Sequence, residues 1–277
     1  MTAFVAACVQ LRSGLDRRKN VAAATALIEE AAAQGACFVS TPEMTNVLDK
    51  SAERLFSHLD GEETAFEIGT FADLARRLNI FLHIGSMAMR TGERRAANRA
   101  FLFKPDGTLA ARYDKIHRFD VDLPNGESWR ESNVYDAGAD ALIVRTPLAA
   151  FGFTICYDLR FPNLYRTLAR AGADVLCVPA AFTKQTGEAH WRTLLTARAI
   201  ENGAFVIAAA QGGVHEDGRA TFGHSLIIGP WGEIVAEADG AEPGVIFGEI
   251  DPARSAEARA RIPNLALENA IRVRTVS

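Results

Sequence analysis

Short apolar runs alternate along this chain with longer segments whose apolar residues recur every three to four positions, and that alternation dictates a layered α/β fold. Phe4 to Leu11, Ala36 to Thr41, Ala141 to Arg145, Phe151 to Cys156, Asp174 to Pro179, Ala204 to Ala210 and Val245 to Ile250 read as strands. Most are apolar without a break, as strands are when helices cover both faces of their sheet. Lys19 to Gln34 reads as a helix with Val21, Ala24, Ile28 and Ala31 on one face and Gly35 as its C-cap. Thr64 to Leu78, Asn163 to Ala171 and Glu188 to Asn202 continue the helical pattern. Phe81 to Met89, Ala97 to Lys104 and Thr108 to Tyr113 turn through Thr91-Gly92 and Pro105-Asp106-Gly107. Ser225 to Gly229 and Glu233 to Ala238 flank Pro230-Trp231-Gly232 in the same way. His117 to Asp140 has many turn formers and no periodicity, so it is expected to be one long loop of the kind that walls a site. No linker or repeat divides residues 1–277, so a single domain is expected. The tail from Asp251 reads as a helix and an arm that packs on a partner subunit.

With 277 residues, 48% of them apolar, the chain can bury a large core. Its net charge of -4 supplies no basic face, which argues against nucleic acid and for a small-molecule partner. The cysteines at 8, 37, 156 and 177 form no close pair and no zinc spacing, so neither a metal nor a disulfide framework is expected. Cys8, Cys37 and Cys177 lie in apolar runs and read as reduced core residues. No charged leader opens the chain and no apolar run is long enough for a bilayer, so a cytoplasmic location away from membranes is expected.

Cys156 differs from the other three cysteines. An apolar strand precedes it, and Tyr157-Asp158-Leu159-Arg160-Phe161-Pro162 then opens a helix. A thiol at such a junction lies near a helix N-terminus, where the dipole favours thiolate and backbone N–H groups face a developing anion. Glu43, just beyond the strand that ends at Thr41, and Lys115, just beyond the one that ends at Tyr113, share that placement. Strand ends are where layered α/β proteins gather their chemistry.

Taken together, Ser40-Thr41-Pro42-Glu43, Asp114-Lys115-Ile116-His117 and Ile155-Cys156-Tyr157-Asp158-Leu159-Arg160-Phe161-Pro162 resemble the Glu-Lys-Cys triad of the nitrilase superfamily of carbon-nitrogen hydrolases. The resemblance runs from the Ala7-Cys8-Val9-Gln10 strand to Gly232. It implies a four-layer α-β-β-α sandwich that pairs into a homodimer, and amide hydrolysis without a cofactor. It also implies a second glutamate after the lysine, matched here by Arg130-Glu131-Ser132, so Glu131 is chosen over Glu127. The family's Pro-Gly a few residues later is Ala137-Gly138 in this chain.

In this reading Glu43, its pKa raised by burial and by Glu131, is the general base and acid. Cys156 forms a thioester, and Lys115 with the Tyr157 N–H holds the oxyanion. Arg160 is placed either to grip a substrate carboxylate or to pair with Asp158. Thr183 to Trp191 with Ala208 to Gln211 resembles the branch that contains deaminated glutathione amidase, which adds Thr183 and His190 to the expected substrate-binding residues. Omega-amidase and N-carbamoyl amino acid hydrolase activities are the nearest alternatives. A Cys-His hydrolase using His117, His190 or His224 is the rival from another class, and a non-catalytic binding protein on the same fold is a further one.

Overall fold

The computed structural model describes residues 2–123, 126–267, 269 and 271–276. In chain order the elements are β1 (Phe4–Gln10), α1 (Arg17–Ala33), β2 (Phe38–Ser40), α2 (Ala52–His58), α3 (Phe66–Leu78), β3 (Phe81–Arg90), β4 (Ala96–Phe103), β5 (Leu109–Asp114), β6 (Asp120–Asp122), β7 (Ser128–Arg130) and β8 (Tyr135–Asp136). They continue as β9 (Leu142–Arg145), β10 (Ala150–Phe153), α4 (Pro162–Arg170), β11 (Val175–Cys177), α5 (Lys184–Asn202), β12 (Phe205–Ala208), β13 (Gly212–Val214), β14 (Ala220–Phe222), β15 (Leu226–Ile228), β16 (Ile234–Glu237), β17 (Gly244–Ile250) and α6 (Pro252–Arg261).

Two sheets form the centre, one of seven strands in the order β17-β1-β2-β3-β4-β5 with β8 beside β4, the other of six in the order β16-β15-β12-β11-β10-β9. The middle strands of each run parallel, β1 to β3 in one and β10 to β12 in the other. Helices α1 and α3 cover the first sheet and α4 and α5 the second, giving the α-β-β-α order. The two-residue strand period sorts the core. In β1, Ala6 and Cys8 face the second sheet, whereas Ala7 and Val9 join Val21, Ala24, Ile28 and Phe71 beneath the helices. Between the sheets Phe38 stacks on Phe151 with ring centroids 4.2 Å apart.

Several elements depart from the sequence reading. The expected loop from His117 to Asp140 contains the β6–β7 hairpin, a 3-10 turn at Glu131–Asn133 and β8. Helix α5 starts at Lys184 rather than Glu188, because the Thr183 hydroxyl caps the amide of Thr186. The α2 helix and the β13–β14 hairpin were not anticipated, since Gly212-Gly213 and a polar turn carry no alternation. Strand β10 stops at Phe153, so Cys156 stands beyond the strand in a 3-10 turn, Cys156–Arg160, ahead of α4. Helix α6 docks on its own chain, where Arg259 donates to the carbonyls of Asn202 and Ala173. Beyond it Leu267, Ile271, Val273 and Val276 are exposed.

Gly85 sits at a register shift between β3 and β4, where the backbone passes against the segments that carry the site. A methyl there would lie 2.0 Å from the Thr41 carbonyl oxygen, 2.3 Å from Pro179 Cβ and 2.8 Å from the Pro42 carbonyl oxygen. Gly85→Ala is therefore expected to cost about 1–3 kcal/mol by overpacking and to lower kcat by up to about 10²-fold through displacement of the Glu43 turn. Urea unfolding and steady-state kinetics check this; unchanged stability and kcat would contradict the packing account.

Candidate active site

The nucleophile turn is fixed by a carboxylate that the sequence reading treated only as a partner for Arg160. Asp158 is fully buried and accepts from the Ile155 N–H at 2.9 Å, the Tyr113 hydroxyl at 2.7 Å and the His117 N–H at 2.9 Å. His117 Nδ1 lies 2.7 Å from the same carboxylate. A buried carboxylate needs such donors to offset its lost hydration. Tyr113 and His117 bracket Lys115 in sequence, so Asp158 ties the lysine segment to the cysteine turn. Cys156 itself has φ of 49°, a left-handed backbone that a side chain adopts only where the surroundings enforce it. Its N–H donates to the Pro179 carbonyl at 2.9 Å, which helps hold it there.

Lys115 lies between two carboxylates. Its Nζ donates to Glu43 Oε1 at 2.8 Å and to Glu131 Oε1 and Oε2 at 3.0 and 2.9 Å. Asn98 Nδ2 donates to the same pair, at 2.8 Å to Glu43 and 3.2 Å to Glu131. Backbone amides complete the set: Ala181 N–H donates to Glu43 Oε2 at 2.8 Å, and Phe119 N–H to Glu131 Oε2 at 2.6 Å. Gln211 holds the backbone behind Glu43, donating to its carbonyl at 3.0 Å. Glu43, Lys115 and Cys156 are all buried and line one cavity.

The electrostatics reverse two expectations. Burial pushes the Glu43 carboxyl up, but the Lys115 charge and the hydrogen bonds from Lys115 and Asn98 help outweigh it and hold Glu43 below its ordinary value. Burial and the neighbouring Glu43 charge push the Cys156 thiol well above 9.0, with Lys115 offsetting only part. The 3-10 turn therefore does not make Cys156 a thiolate. Burial also works against the Lys115 ammonium, and the charges of Glu131 and Glu43 more than compensate, keeping it well above the ordinary lysine range. The resting site is a thiol beside a carboxylate. Moving the proton from sulfur to Glu43 leaves the net charge of the site unchanged, which suits a base in a poorly hydrated place.

These groups open into a cavity of about 740 Å³. Tyr157, Thr183 and Arg160 line it. The Thr183 hydroxyl is also engaged in capping α5. Arg160 does not pair with Asp158: its guanidinium lies over Phe182, 5.5 Å from the ring centroid, with both terminal nitrogens 3.4 Å from His190 Nδ1. His190 is exposed and touches Arg160, but it is not among the described residues that line the cavity. No histidine is among the described residues lining the cavity. His117 is held by Asp158 and stacked on Phe161, and His224 is stacked on Phe222 and paired with Glu237, which leaves a Cys-His hydrolase without a base. The sequence reading also missed Asn98 and Arg219. Asn98 was detectable, as a polar residue within the apolar strand Ala96–Phe103.

The carbon-nitrogen hydrolase model matches residues 5–260, and the chain belongs to that family. It is 42% identical over 274 residues to the deaminated glutathione amidase of Synechocystis sp., covering 96% of this chain and 98% of that protein. Omega-amidase NIT2 of Homo sapiens is 35% identical over 269 residues, 95% of this chain and 94% of that one. The crystal structure of the C. elegans NitFhit protein superposes with a TM-score of 0.89 at 33% identity, covering 97% of this chain and 65% of that one.

A base held low and a thiol held high define a broad pH optimum. With a substrate that does not titrate, kcat/KM should fall on the acid side only below the ordinary carboxylate value of 4.5, as Glu43 protonates. On the alkaline side it should fall only above the ordinary thiol value of 9.0, as Cys156 loses its proton. A limb near about 6.5 would point to a histidine and contradict the assignment of the base.

Proposed function

We propose that the protein is an amidase that cleaves deaminated glutathione through a Cys156 thioester. The observation that carries the chemistry is that buried Cys156 shares one cavity wall with a carboxylate, Glu43, that Lys115 pairs at 2.8 Å. Glu43 takes the thiol proton as sulfur attacks the amide carbon, and the carbonyl oxygen gains charge. Lys115 and the Tyr157 N–H, in the first turn of a helical segment where amides lack helical partners, hold that oxyanion. Collapse breaks the C–N bond, and Glu43 returns the proton to the departing amine. Glu43 then deprotonates a water that attacks the thioester, and the acid leaves as Cys156 regains its proton. Glu131 and Asn98 position Lys115 and Glu43.

Arg160 supports a substrate with a carboxylate on its acyl side, because its terminal nitrogens face no carboxylate among the described residues. Similarity to deaminated glutathione amidase at 42% identity across nearly both whole chains favours the α-ketoglutaryl amide of a dipeptide over the primary amide cleaved by an omega-amidase. The four free cysteines fit a reducing cytoplasm. The exposed Leu267, Ile271, Val273 and Val276 fit a homodimer in which the arm packs on a partner subunit.

Turnover of deaminated glutathione, α-ketoglutaramate, carbamoyl amino acids and simple nitriles tests the reading. Deaminated glutathione should have the highest kcat/KM; a preference for α-ketoglutaramate would make the protein an omega-amidase, and activity on nitriles alone would end the amidase reading. Cys156→Ala and Glu43→Gln should both lose nearly all turnover while staying folded, and Lys115→Met should lose about 10²- to 10³-fold in kcat. A slow substrate should leave an acyl adduct on the Cys156 peptide. An adduct on Cys8, Cys37 or Cys177, or wild-type kcat in any of these variants, would contradict the assigned roles.

A further inference from the structure

The cavity holds a second guanidinium that the chemistry above does not use. Arg219 sits at the end of the tight turn between β13 and β14, where the His215 N–H donates to its carbonyl at 2.9 Å. Asp217, whose side chain is fully covered, fixes it twice, accepting from the Arg219 N–H at 3.0 Å and from Nε at 2.8 Å. The guanidinium plane is laid over Trp129, 4.9 Å from the ring centroid. Among the described residues no acceptor meets its two terminal nitrogens. Lys50 borders the same stretch of wall: its backbone N–H also donates to Asp217 at 2.9 Å, and its ammonium would stand 3.6 Å from a Cβ added at Gly218. Arg219 is thus a clamped, pre-oriented fork with an open binding edge, the geometry that suits a carboxylate. It is carried by the β13–β14 hairpin and laid on Trp129, whereas Arg160 ends the 3-10 turn of the cysteine and lies over Phe182.

Resting on the substrate reading above, we propose that Arg219, backed by Lys50, binds the carboxylate at the far end of the leaving amine. An α-ketoglutaryl dipeptide carries a carboxylate at each end, one on the acyl side of the scissile bond and one on the amine side. Hydrolysis gives each product one of them. A primary amide of the same acyl group releases ammonia and offers nothing to a second guanidinium, so Arg219 is a specificity residue for peptide-like leaving groups.

The test compares deaminated glutathione with its C-terminal carboxamide, which differs only in the far carboxylate, in the wild type, Arg219→Gln, Arg219→Lys and Arg160→Gln. The wild type should prefer the acid on the order of 10-fold or more, the worth of one charge-assisted bond. Arg219→Gln should bring that ratio close to 1, mainly through KM, and Arg219→Lys should restore part of it. Arg160→Gln should lower both substrates together and keep the ratio. Equal losses on the two substrates in Arg219→Gln, or a wild-type ratio near 1 with deaminated glutathione well cleaved, overturns this inference alone. A wild type that cleaves the primary amide and not deaminated glutathione overturns the substrate reading, and this inference with it.

Discussion

The buried ammonium of Lys115 is the group on which the rest of the site depends. Taking a charge of this kind out of water costs several kcal/mol, and only close, well-satisfied counter-charges compensate it. Glu43 and Glu131 do so at 2.8 and 2.9 Å, with Asn98 and two backbone amides saturating the carboxylates. One arrangement serves two ends. It stabilises Glu43 as a carboxylate ready to take a proton, and it leaves Lys115 positioned for negative charge that appears only during reaction. The same field that keeps Glu43 ionised keeps Cys156 protonated, because a thiolate beside Glu43 would meet like charge with no water to screen it.

The fold delivers these groups from strand ends that converge on one edge of the sandwich. Glu43 follows β2, Lys115 follows β5, and Cys156 lies in the turn after β10, where its amide is bonded to the Pro179 carbonyl just past β11. Met44 and Cys156 are two of the four non-glycine residues with positive φ among those described; one follows the base Glu43 and the other is the nucleophile. Their strain is held by contacts from other elements: Ser86 Oγ accepts from the Met44 N–H at 3.0 Å, and Asp158 anchors the cysteine turn. Stability and catalytic geometry therefore share the same hydrogen bonds, and disturbing the turns disturbs both.

Much of this was legible in the sequence, for physical reasons that also explain what was not. Apolar runs identify strands, and a chemically capable residue at or just past such a run makes Glu43, Lys115 and Cys156 candidates, but it is the joint resemblance of their three motifs to one family that singles them out. Glu131 comes only through the family resemblance, because the 3-10 turn that carries it lies in a stretch without periodicity. Apart from the local Ile155 N–H, Asp158 and Asn98 act through partners 33 to 55 residues away, which no local pattern encodes. Arg219 sits on a glycine-rich hairpin whose pairing across β13 and β14 is set by tertiary contacts. The protonation states were read in the wrong direction because burial and a helix end were weighed without the ion pair between Glu43 and Lys115, whose closeness appears only in three dimensions.

The central claim is that resting Cys156 is a thiol beside an ionised Glu43. The ultraviolet absorbance of thiolate, taken as the difference between the wild type and Cys156→Ala, measures it directly. The account predicts no thiolate difference from about pH 5 up to the ordinary thiol value of 9.0, with absorbance rising only above it. A full thiolate step within that range would show that Cys156 is already ionised before substrate arrives and would contradict the role given to Glu43.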